Sequence, residues 1–263
     1  MQHLDAQQLA SLASAVAALS ASAAAPGSSK EQQQRDSGAR VSGSWVKVWM
    51  DCSKLRLSEL QKNIREQEQQ QAKQEAAADP SDGTPAEAAQ KGGKAATAAA
   101  SVAASPAPGV LIGQLALSAA ELGVLSKPLP ATAAKSSAGG VLPQSFGPTT
   151  AERVAWIAAL AAAAATAAAA VRTKALNAAS ASQILSALTA QQQEQPGLLQ
   201  QLDAQFKQQA GSSSGASYVL SVVAAVASAA KGSMWSGGWE VLVRLLRAML
   251  VFGVQPGEYQ LTG

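Results

Sequence analysis

Cationic side chains are concentrated in one short part of this 263-residue chain. Six Lys or Arg residues and two acids lie at residues 40–65, whereas residues 66–87 hold six acids and one lysine. Clustered ammonium and guanidinium groups bind phosphate oxygens, so the pattern is compatible with contact to nucleic acid. Charge runs are usually solvated surface, and the charge pattern alone favours a solvated helix face followed by an acidic linker. The net charge of +3 does not separate the two, because it is small for this length.

Two further cations, Arg244 and Arg247, are three residues apart near the C-terminal end of the sequence. Side chains at this spacing lie together on one helix face. The sequence does not identify residues that would read individual bases. We predict phosphate contacts for seven residues: Lys47, Lys54, Arg56, Lys62, Arg65, Arg244 and Arg247.

Motifs of catalysis and metal binding are incomplete. Ser44 and Lys47 have Ser-x-x-Lys spacing, but the companion Ser-Asp-Asn and Lys-Thr-Gly motifs are missing. The Lys-Gly-Gly-Lys at residues 91–94 lacks the leading Gly and the following Ser or Thr of a phosphate-binding loop. His3 and Cys52 are the single residues of their types, too few for a zinc site or a disulfide framework. The sequence predicts no enzyme activity, no cofactor and no metal.

The elements that position these residues are short apolar segments with helical periodicity. Each carries apolar residues at i, i+4 and i+7, the spacing of one helix face. Gly123 and Gly253 follow two of these segments, with Pro128 and Pro256 beyond, which is a helix stop signal. The five stripes are Leu12, Val16 and Leu19; Leu115, Ala119 and Leu122; Ala181, Leu185 and Leu188; Val219, Val223 and Val226; and Leu245, Met249 and Phe252.

Tryptophan leads a second kind of segment, for which we predict a packing role. Aromatic residues at helical spacing lie in a protein core far more often than in a ligand site. A short helix cannot bury such a face alone, and stacking of neighbouring helices would bury it, as in an α-solenoid. The three segments are Trp45, Val46, Trp49, Cys52 and Leu55; Trp156, Ile157 and Leu160; and Trp239, Leu242 and Leu246.

Alanine supplies about half of the hydrophobic residues, which make up 48% of the chain. Helical segments alternate with segments of low complexity, so the predicted fold is all-α. It is an irregular α-solenoid of short helix pairs interrupted by disordered insertions rich in Ala, Gln, Ser and Gly. The helical segments are 1–19, the Trp-led basic helix 44–65, 110–130, the Ala-rich helical pair 150–190, and the C-terminal helical pair 216–263, which ends in a truncated repeat. The spacers are 20–43, 66–109, 131–149 and 191–215.

Four of these segments resemble a known family. They are LDAQQLASLASAVAAL at 4–19, SWVKVWMDCSKLRL at 44–57, QLALSAAELGV at 114–124 and WEVLVRLLRAMLVFGVQP at 239–256. They resemble the degenerate helical repeats of octotricopeptide-repeat proteins and of FAST-kinase-like, RAP-domain proteins. The resemblance implies single-stranded RNA binding in a chloroplast or mitochondrion, in transcript maturation, stability or translation. It also implies that the chain is a piece of a longer protein.

Other interpretations of the same sequence stay open. The helices could present an apolar groove to a protein partner, with the insertions as inert spacers. The uncharged Ala-rich residues 154–171 could anchor the chain in a membrane, although alanine is nearly neutral for insertion. A frame translated from GC-rich DNA would have a similar composition. No organellar presequence is evident, since Asp5 lies within the first 25 residues and no Arg precedes Arg35.

Overall fold

The computed structural model describes residues 3–23, 41–78, 106–124, 148–210, 217–231, 233 and 237–254. Over these residues the fold is all-α, as the sequence predicts, and contains no strand. Its eight helices are α1 Ala6–Ala23, α2 Gly43–Ala78, α3 Pro108–Glu121, α4 Thr150–Ala169, α5 Ala178–Glu194, α6 Pro196–Ala210, α7 Tyr218–Ala230 and α8 Gly238–Phe252.

The helices pack in two layers. In the first layer α1 packs against α3, α3 against α5, and α5 against α8. In the second layer α2 packs against α4, and α4 against α7. The layers meet where α5 contacts α7, where α3 contacts α2 and α4, where α1 contacts α2, and where α8 contacts α7. Helix α6 is an added helix against α4, α5 and α7. Successive helix pairs therefore lie side by side.

Two buried tryptophans connect α1, α2 and α4. The ring centroids of Trp49 and Trp156 are 6.1 Å apart, with an interplanar angle of 33°. Trp49 Nε1 donates to the Leu9 carbonyl at 3.1 Å, and Trp156 Nε1 donates to Ser53 Oγ at 2.8 Å. Both buried indole N–H groups keep a partner, which avoids a penalty of about 1–3 kcal/mol each. The predicted packing role is confirmed for Trp49 and Trp156. Leu55, which the sequence predicts in one stripe with Trp49, is exposed.

Helices α3 and α8 end in the same way. Gly123 and Gly253 both have a φ of 65°, the left-handed conformation that glycine adopts without a Cβ clash. The N–H of each glycine donates to the carbonyl three residues earlier, and the N–H of the next residue to the carbonyl five residues earlier. Those next residues, Val124 and Val254, are buried. The helix stops predicted at both glycines are confirmed.

Glycines set the close approach of α3 to α5. A Cβ on Gly109 would lie 2.0 Å from the Ala175 carbonyl oxygen. A Cβ on Gly113, one turn later, would lie 2.5 Å from Gln183 Oε1 and 3.0 Å from Ser180 Cα. The Ala175 carbonyl is backbone and cannot give way, so α3 reaches the start of α5 because Gly109 carries no side chain. At Gly113 the tight neighbour is Ser180 Cα, since the end of the flexible Gln183 side chain can move.

Four of the five predicted apolar stripes are buried or pack against the core. The prediction of the buried face of α1 is wrong. Leu19 is 71% exposed, and Leu12 and Val16 are half-buried rather than part of the buried core. Alanine explains the difference, because small side chains allow the α1 backbone to come close to its neighbours, as where Ser118 Oγ donates to the Ala10 carbonyl at 3.2 Å. The buried face of α1 is instead Ala6, Leu9, Ala10 and Ala13.

The packing role predicted for the last tryptophan segment is wrong for two of its three residues. Trp239 is 76% exposed and Leu246 is 47% exposed, while Leu242 is half-buried. Helix α8 turns another face inward, on which Leu245 and Ala248 are buried. The helix thus carries apolar residues on both an inner and an outer face.

Three predicted spacers contain helix. Helix α1 continues to Ala23, into the spacer predicted at 20–43, and α2 continues to Ala78, into the linker predicted at 66–109. Helix α6 occupies much of the spacer predicted at 191–215. In α6, Leu198 and Leu202 are buried, and that burial stabilises a segment whose composition is otherwise polar. The rest of the predicted spacers and the predicted truncated repeat fall largely outside the described residues, at 24–40, 79–105, 125–147, 211–216 and 255–263.

Candidate nucleic-acid interface

Lys47 forms an ion pair that joins α2 to the start of α4. Its Nζ lies 2.6 Å from Glu152 Oε1. Glu152 also caps α4, since the Thr149 N–H and hydroxyl donate to its carboxylate and its own N–H donates to Thr149 Oγ1. The hydrogen bond from Lys47, with those from Thr149, lowers the pKa of Glu152 to about 2, and the same pairing raises the pKa of Lys47. Lys47 therefore has a structural partner in the folded chain.

Lys54 and Lys62 pair within α2. Lys54 Nζ is 3.5 Å from Asp51 Oδ1, and Lys62 Nζ is 3.7 Å from Glu66 Oε1. All four side chains are at least 43% exposed. Exposed pairs of this kind contribute about 0–1 kcal/mol, so a phosphate group can displace the carboxylates.

Arg56 lies on the other side of α2. It is nine residues after Lys47, which places it about 180° away around a helix of 3.6 residues per turn. Its Nε donates to the Leu4 carbonyl at 2.9 Å, and its Nη1 donates to Glu59 Oε2 at 2.6 Å. Arg56 fixes the residues before α1, and its 22% exposure leaves little of it to a ligand.

Arg65 is exposed and has no ion pair with the other described residues. It follows Lys54 by 11 residues and Lys54 follows Lys47 by seven, close to whole numbers of helical turns. The structure therefore aligns these three cations along one row of α2. Lys62 lies to one side of that row and Arg56 on the opposite face.

Arg244 and Arg247 meet α5 at a polar cleft of about 170 Å³. Arg247 Nη2 donates to Gln193 Oε1 at 2.9 Å, and Arg244 Nη2 donates to Glu240 Oε1 one turn earlier in α8. The predicted placement of both arginines on one helix face is confirmed. The cleft is lined by Arg244 and Arg247 of α8 and by Ser186, Thr189, Ala190 and Gln193 of α5.

The cleft combines cations with neutral hydrogen-bonding groups. Arg244 is 40% exposed and Arg247 is exposed, so both guanidinium groups are open to a phosphate. Hydroxyl and amide side chains both donate and accept, which suits the edges of nucleobases. Thr189 Oγ1 is buried and has no hydrogen-bond partner among the described residues. An unsatisfied hydroxyl beside the cleft is a group that a ligand can satisfy.

Sequence reasoning missed the α5 side of this cleft. Ser186, Thr189 and Gln193 are spaced at i, i+3 and i+7, the spacing of one helix face. That polar row is the signal that could have found them. It is weak because Ser, Thr and Gln are frequent throughout the neighbouring segments, and because the sequence does not show that α8 packs against α5.

A second cavity, of about 440 Å³, lies beside the turn between α4 and α5. Its lining is mainly small and apolar, with Lys174, Asn177 and Ser233 as the polar members. Lys174 has a φ of 47°, which is uncommon outside glycine, while Asn177 caps α5 by accepting the Ser180 N–H at 2.8 Å. The Ser233 hydroxyl accepts from the Ala178 N–H at 2.9 Å and donates to the Ala230 carbonyl at 3.4 Å, so it has backbone partners in this lining. Among the described residues, no group of three His, Cys, Asp or Glu could hold a metal ion.

Helix α4 is, among the described helices, the one long and apolar enough to cross a membrane. Half of its apolar window is buried inside the protein. Trp156, Ile157 and Leu160 are about 1% exposed, and the helix packs against α2, α3, α6 and α7. Its place in the second layer accounts for its apolar character.

Comparisons with protein-family models, with curated proteins and with solved structures give no match to this chain. The octotricopeptide-repeat resemblance therefore stays a prediction.

Proposed function

We propose that this protein is a non-catalytic helical-repeat protein that binds single-stranded RNA. Its helix pairs form an irregular α-solenoid, and the RNA lies along the first layer across the cleft between α5 and α8. The observation that carries the proposal is the meeting of Arg244 and Arg247 with the polar row of α5. An organellar role in transcript maturation, stability or translation follows from the family resemblance alone.

Polar side chains also mark the other junctions of the first layer. Between α1 and α3, Ser14 Oγ donates to Glu121 Oε2 at 2.8 Å on the exposed surface. Gln183 of α5 lies against α3, and Gln193 pairs with Arg247 of α8. In helical-repeat proteins that read RNA, each repeat contacts one base through two or three side chains. A polar group at each junction supports that mode of binding.

The cations and the neutral groups have separate roles in this proposal. Arg244 and Arg247 bind the phosphate backbone, and each exchanges a weak surface contact for a charge-assisted bond to phosphate. Ser186, Thr189 and Gln193 contact base edges. In α2, which belongs to the second layer, Lys54 and Arg65 are a separate exposed pair of cations, whereas Arg56 and Lys47 stabilise the fold.

The test is a titration of fluorescent single-stranded RNA at several salt concentrations. Each phosphate contact on a single strand contributes about 0.7 to the slope of log K against log salt. We expect Arg244→Gln with Arg247→Gln to lower that slope by about 1.4 and to weaken binding at low salt. The charge-matched control is Lys73→Gln with Lys207→Gln, which removes two exposed cations outside the cleft.

Equal effects of the two double variants would show that the cleft is not the site. Binding that no salt concentration changes would refute phosphate contact altogether. The double variant Lys54→Gln with Arg65→Gln then measures how much the α2 cations contribute to RNA affinity. If that variant loses affinity and the variant with Arg244→Gln and Arg247→Gln does not, the RNA site is on α2.

A second candidate is a protein-interaction scaffold, and a specific observation favours it. Helix α8 carries four exposed apolar side chains at helical spacing: Trp239, Val243, Leu246 and Leu250. Such a face binds proteins with little dependence on salt, unlike a phosphate site. This face borders the cleft, because Arg247 follows Val243 by four residues and precedes Leu250 by three.

A further inference from the structure

The cavity beside the turn between α4 and α5 has apolar walls and a cation at its edge. Its volume of about 440 Å³ falls within the range of about 300–1,000 Å³ that is typical of ligand pockets. The last turns of α4 and α7 form most of the wall, and their small alanine side chains leave the space open. The apolar lining consists of Ala167, Ala168, Ala170, Val171, Leu176 and Ala229.

Two of the three polar side chains in this lining already have partners in the protein. Asn177 caps α5, and the Ser233 hydroxyl connects two backbone groups. Lys174 is exposed and forms no ion pair with the other described residues. Its ammonium group is therefore open to an anionic ligand, and an apolar cavity with a cation at its edge suits a ligand that is both apolar and anionic.

Helix α2 holds the turn that carries Lys174. Arg172 Nε donates to Glu75 Oε2 at 2.8 Å, and the Thr173 N–H donates to Glu68 Oε1 at 3.1 Å. Lys174 follows these two residues with its φ of 47°, a conformation that persists where the surrounding structure enforces it. The contacts to α2 thus fix the point at which the lysine side chain leaves the backbone. A cation that is positioned before binding costs less to order when the ligand arrives.

We propose that this cavity binds a single-chain amphiphile with a carboxylate head group, of the class of medium-chain fatty acids. The alkyl chain lies against the alanines of α4 and α7, and the carboxylate pairs with the Lys174 ammonium. Each methylene removed from water strengthens binding by about fourfold, so the chain supplies most of the affinity. The exposed ion pair adds a factor of about five at most and selects the head group. The site shares no lining residue with the cleft between α5 and α8, and it does not depend on RNA binding.

Three ligands with the same ten-carbon chain test the charge of the head group. The C-terminal ends of α4 and α7 border the cavity, and the partial negative charge of a helix C-terminus favours cations. The proposal requires that Lys174 outweighs these helix ends. In calorimetric titrations we expect decanoate to bind most tightly, decan-1-ol to bind about fivefold more weakly, and decylammonium to bind most weakly of the three.

A charge variant assigns that preference to Lys174. We expect Lys174→Gln to weaken decanoate binding by about fivefold and to leave decan-1-ol binding unchanged, because the alcohol has no charge to pair. The charge-matched control is Lys207→Gln, which removes an exposed cation of α6 outside the cavity. This control is expected to bind all three ligands as the wild type does.

Filling the cavity tests the place of the alkyl chain. Ala168→Leu adds volume from the α4 side, and Ala229→Leu adds it from the α7 side. Each is expected to weaken decanoate and decan-1-ol alike by about tenfold or more, as the displacement of two methylenes would. Circular dichroism and the urea midpoint show that each variant keeps its fold, and either variant alone is sufficient for the test.

Several results would overturn the proposal. Tighter binding of decylammonium than of decanoate would show that the helix ends, and not Lys174, set the charge preference. Equal affinities for hexanoate and decanoate would show that the chain is not buried. Decanoate binding that withstands Lys174→Gln and both leucine variants would place it elsewhere on the protein. Wild-type protein that binds none of these ligands would refute the site altogether, and RNA binding would be unaffected by that failure.

Discussion

At the scale of single residues, small side chains determine how the helices approach. Gly109 and Gly113 give α3 its contact with α5, and Ala10 and Ala13 give α1 its buried face. These positions carry little apolar area, so their contribution comes from the backbone contacts that they permit. The sequence shows the composition but not which alanines or glycines lie at a contact.

Gly109 and Gly197 are a matched pair of positions for testing whether a missing side chain permits close helix packing. Each follows a proline at the start of a helix, Pro108 in α3 and Pro196 in α6. A Cβ at Gly109 would clash with the Ala175 carbonyl, whereas a Cβ at Gly197 would meet nothing within 4 Å. We expect Gly109→Ala to lower the free energy of unfolding by about 1–3 kcal/mol. Gly197→Ala should raise it by about 0.5–1 kcal/mol, because alanine is the better helix former.

Urea denaturation followed by circular dichroism measures both changes. If the two alanine variants shift the midpoint by the same amount in the same direction, the close contact of α3 with the start of α5 is refuted. The pair keeps intrinsic helix propensity constant, so the difference between the two variants reports the clash.

Residue types predicted part of the candidate site. Arg244 and Arg247 were recognisable because two cations three residues apart share a helix face in any helix. Gln193 and Thr189 were not, because their importance depends on α8 lying beside them. Lys47 and Arg56 looked equivalent in the sequence, and their partners Glu152 and the Leu4 carbonyl are set by packing between helices.

At the scale of elements, the ion pair of Lys47 with Glu152 connects two helices and predicts a pH dependence. The pKa of Glu152 falls from its ordinary value of 4.5 to about 2 in the folded chain. A carboxyl with a depressed pKa stabilises the fold above its unfolded pKa, and that stabilisation is lost as the pH falls through the folded pKa. Its contribution is therefore complete above pH 4.5 and disappears progressively toward pH 2.

Glu152→Gln isolates this charge, because the amide oxygen can still cap α4. We expect the variant to be less stable than wild type at neutral pH, with a difference that shrinks between pH 4.5 and pH 2. Urea midpoints over that range measure it, and Lys47→Gln should reproduce the effect from the other partner. A difference that stays constant from neutral pH to pH 2 would contradict the assignment.

Helix type and position were predictable where the apolar spacing was regular. The stripes of α3, α5 and α7 pointed inward as expected, and the glycine stops of α3 and α8 fell where predicted. Prediction failed for α6, whose leucines are embedded in a glutamine-rich sequence. It also failed for α1 and for the Trp239 segment of α8, because an apolar stripe shows that a face needs a partner but not where that partner lies.

At the scale of the whole molecule, the described helices form one two-layer stack. Alternating contacts, from α1 to α3 to α5 to α8 and from α2 to α4 to α7, turn separate short helices into a single body. The proposed RNA surface requires this arrangement, since its cleft is built from two helices distant in sequence. The sequence indicated stacking in general, and the order of the layers came from the structure.

Hydrogen exchange measured by mass spectrometry tests that stack most directly. The account predicts that backbone amides of α4 and α5 at 154–167 and 181–188, which lie between neighbours in both layers, exchange at least about 1,000-fold more slowly than in an unfolded chain. Protection should extend to α3 and α7, with faster exchange at the outer ends of α1 and α8. Exchange of α4 and α5 at unfolded-chain rates would contradict the packed stack and remove the basis for both proposed binding sites.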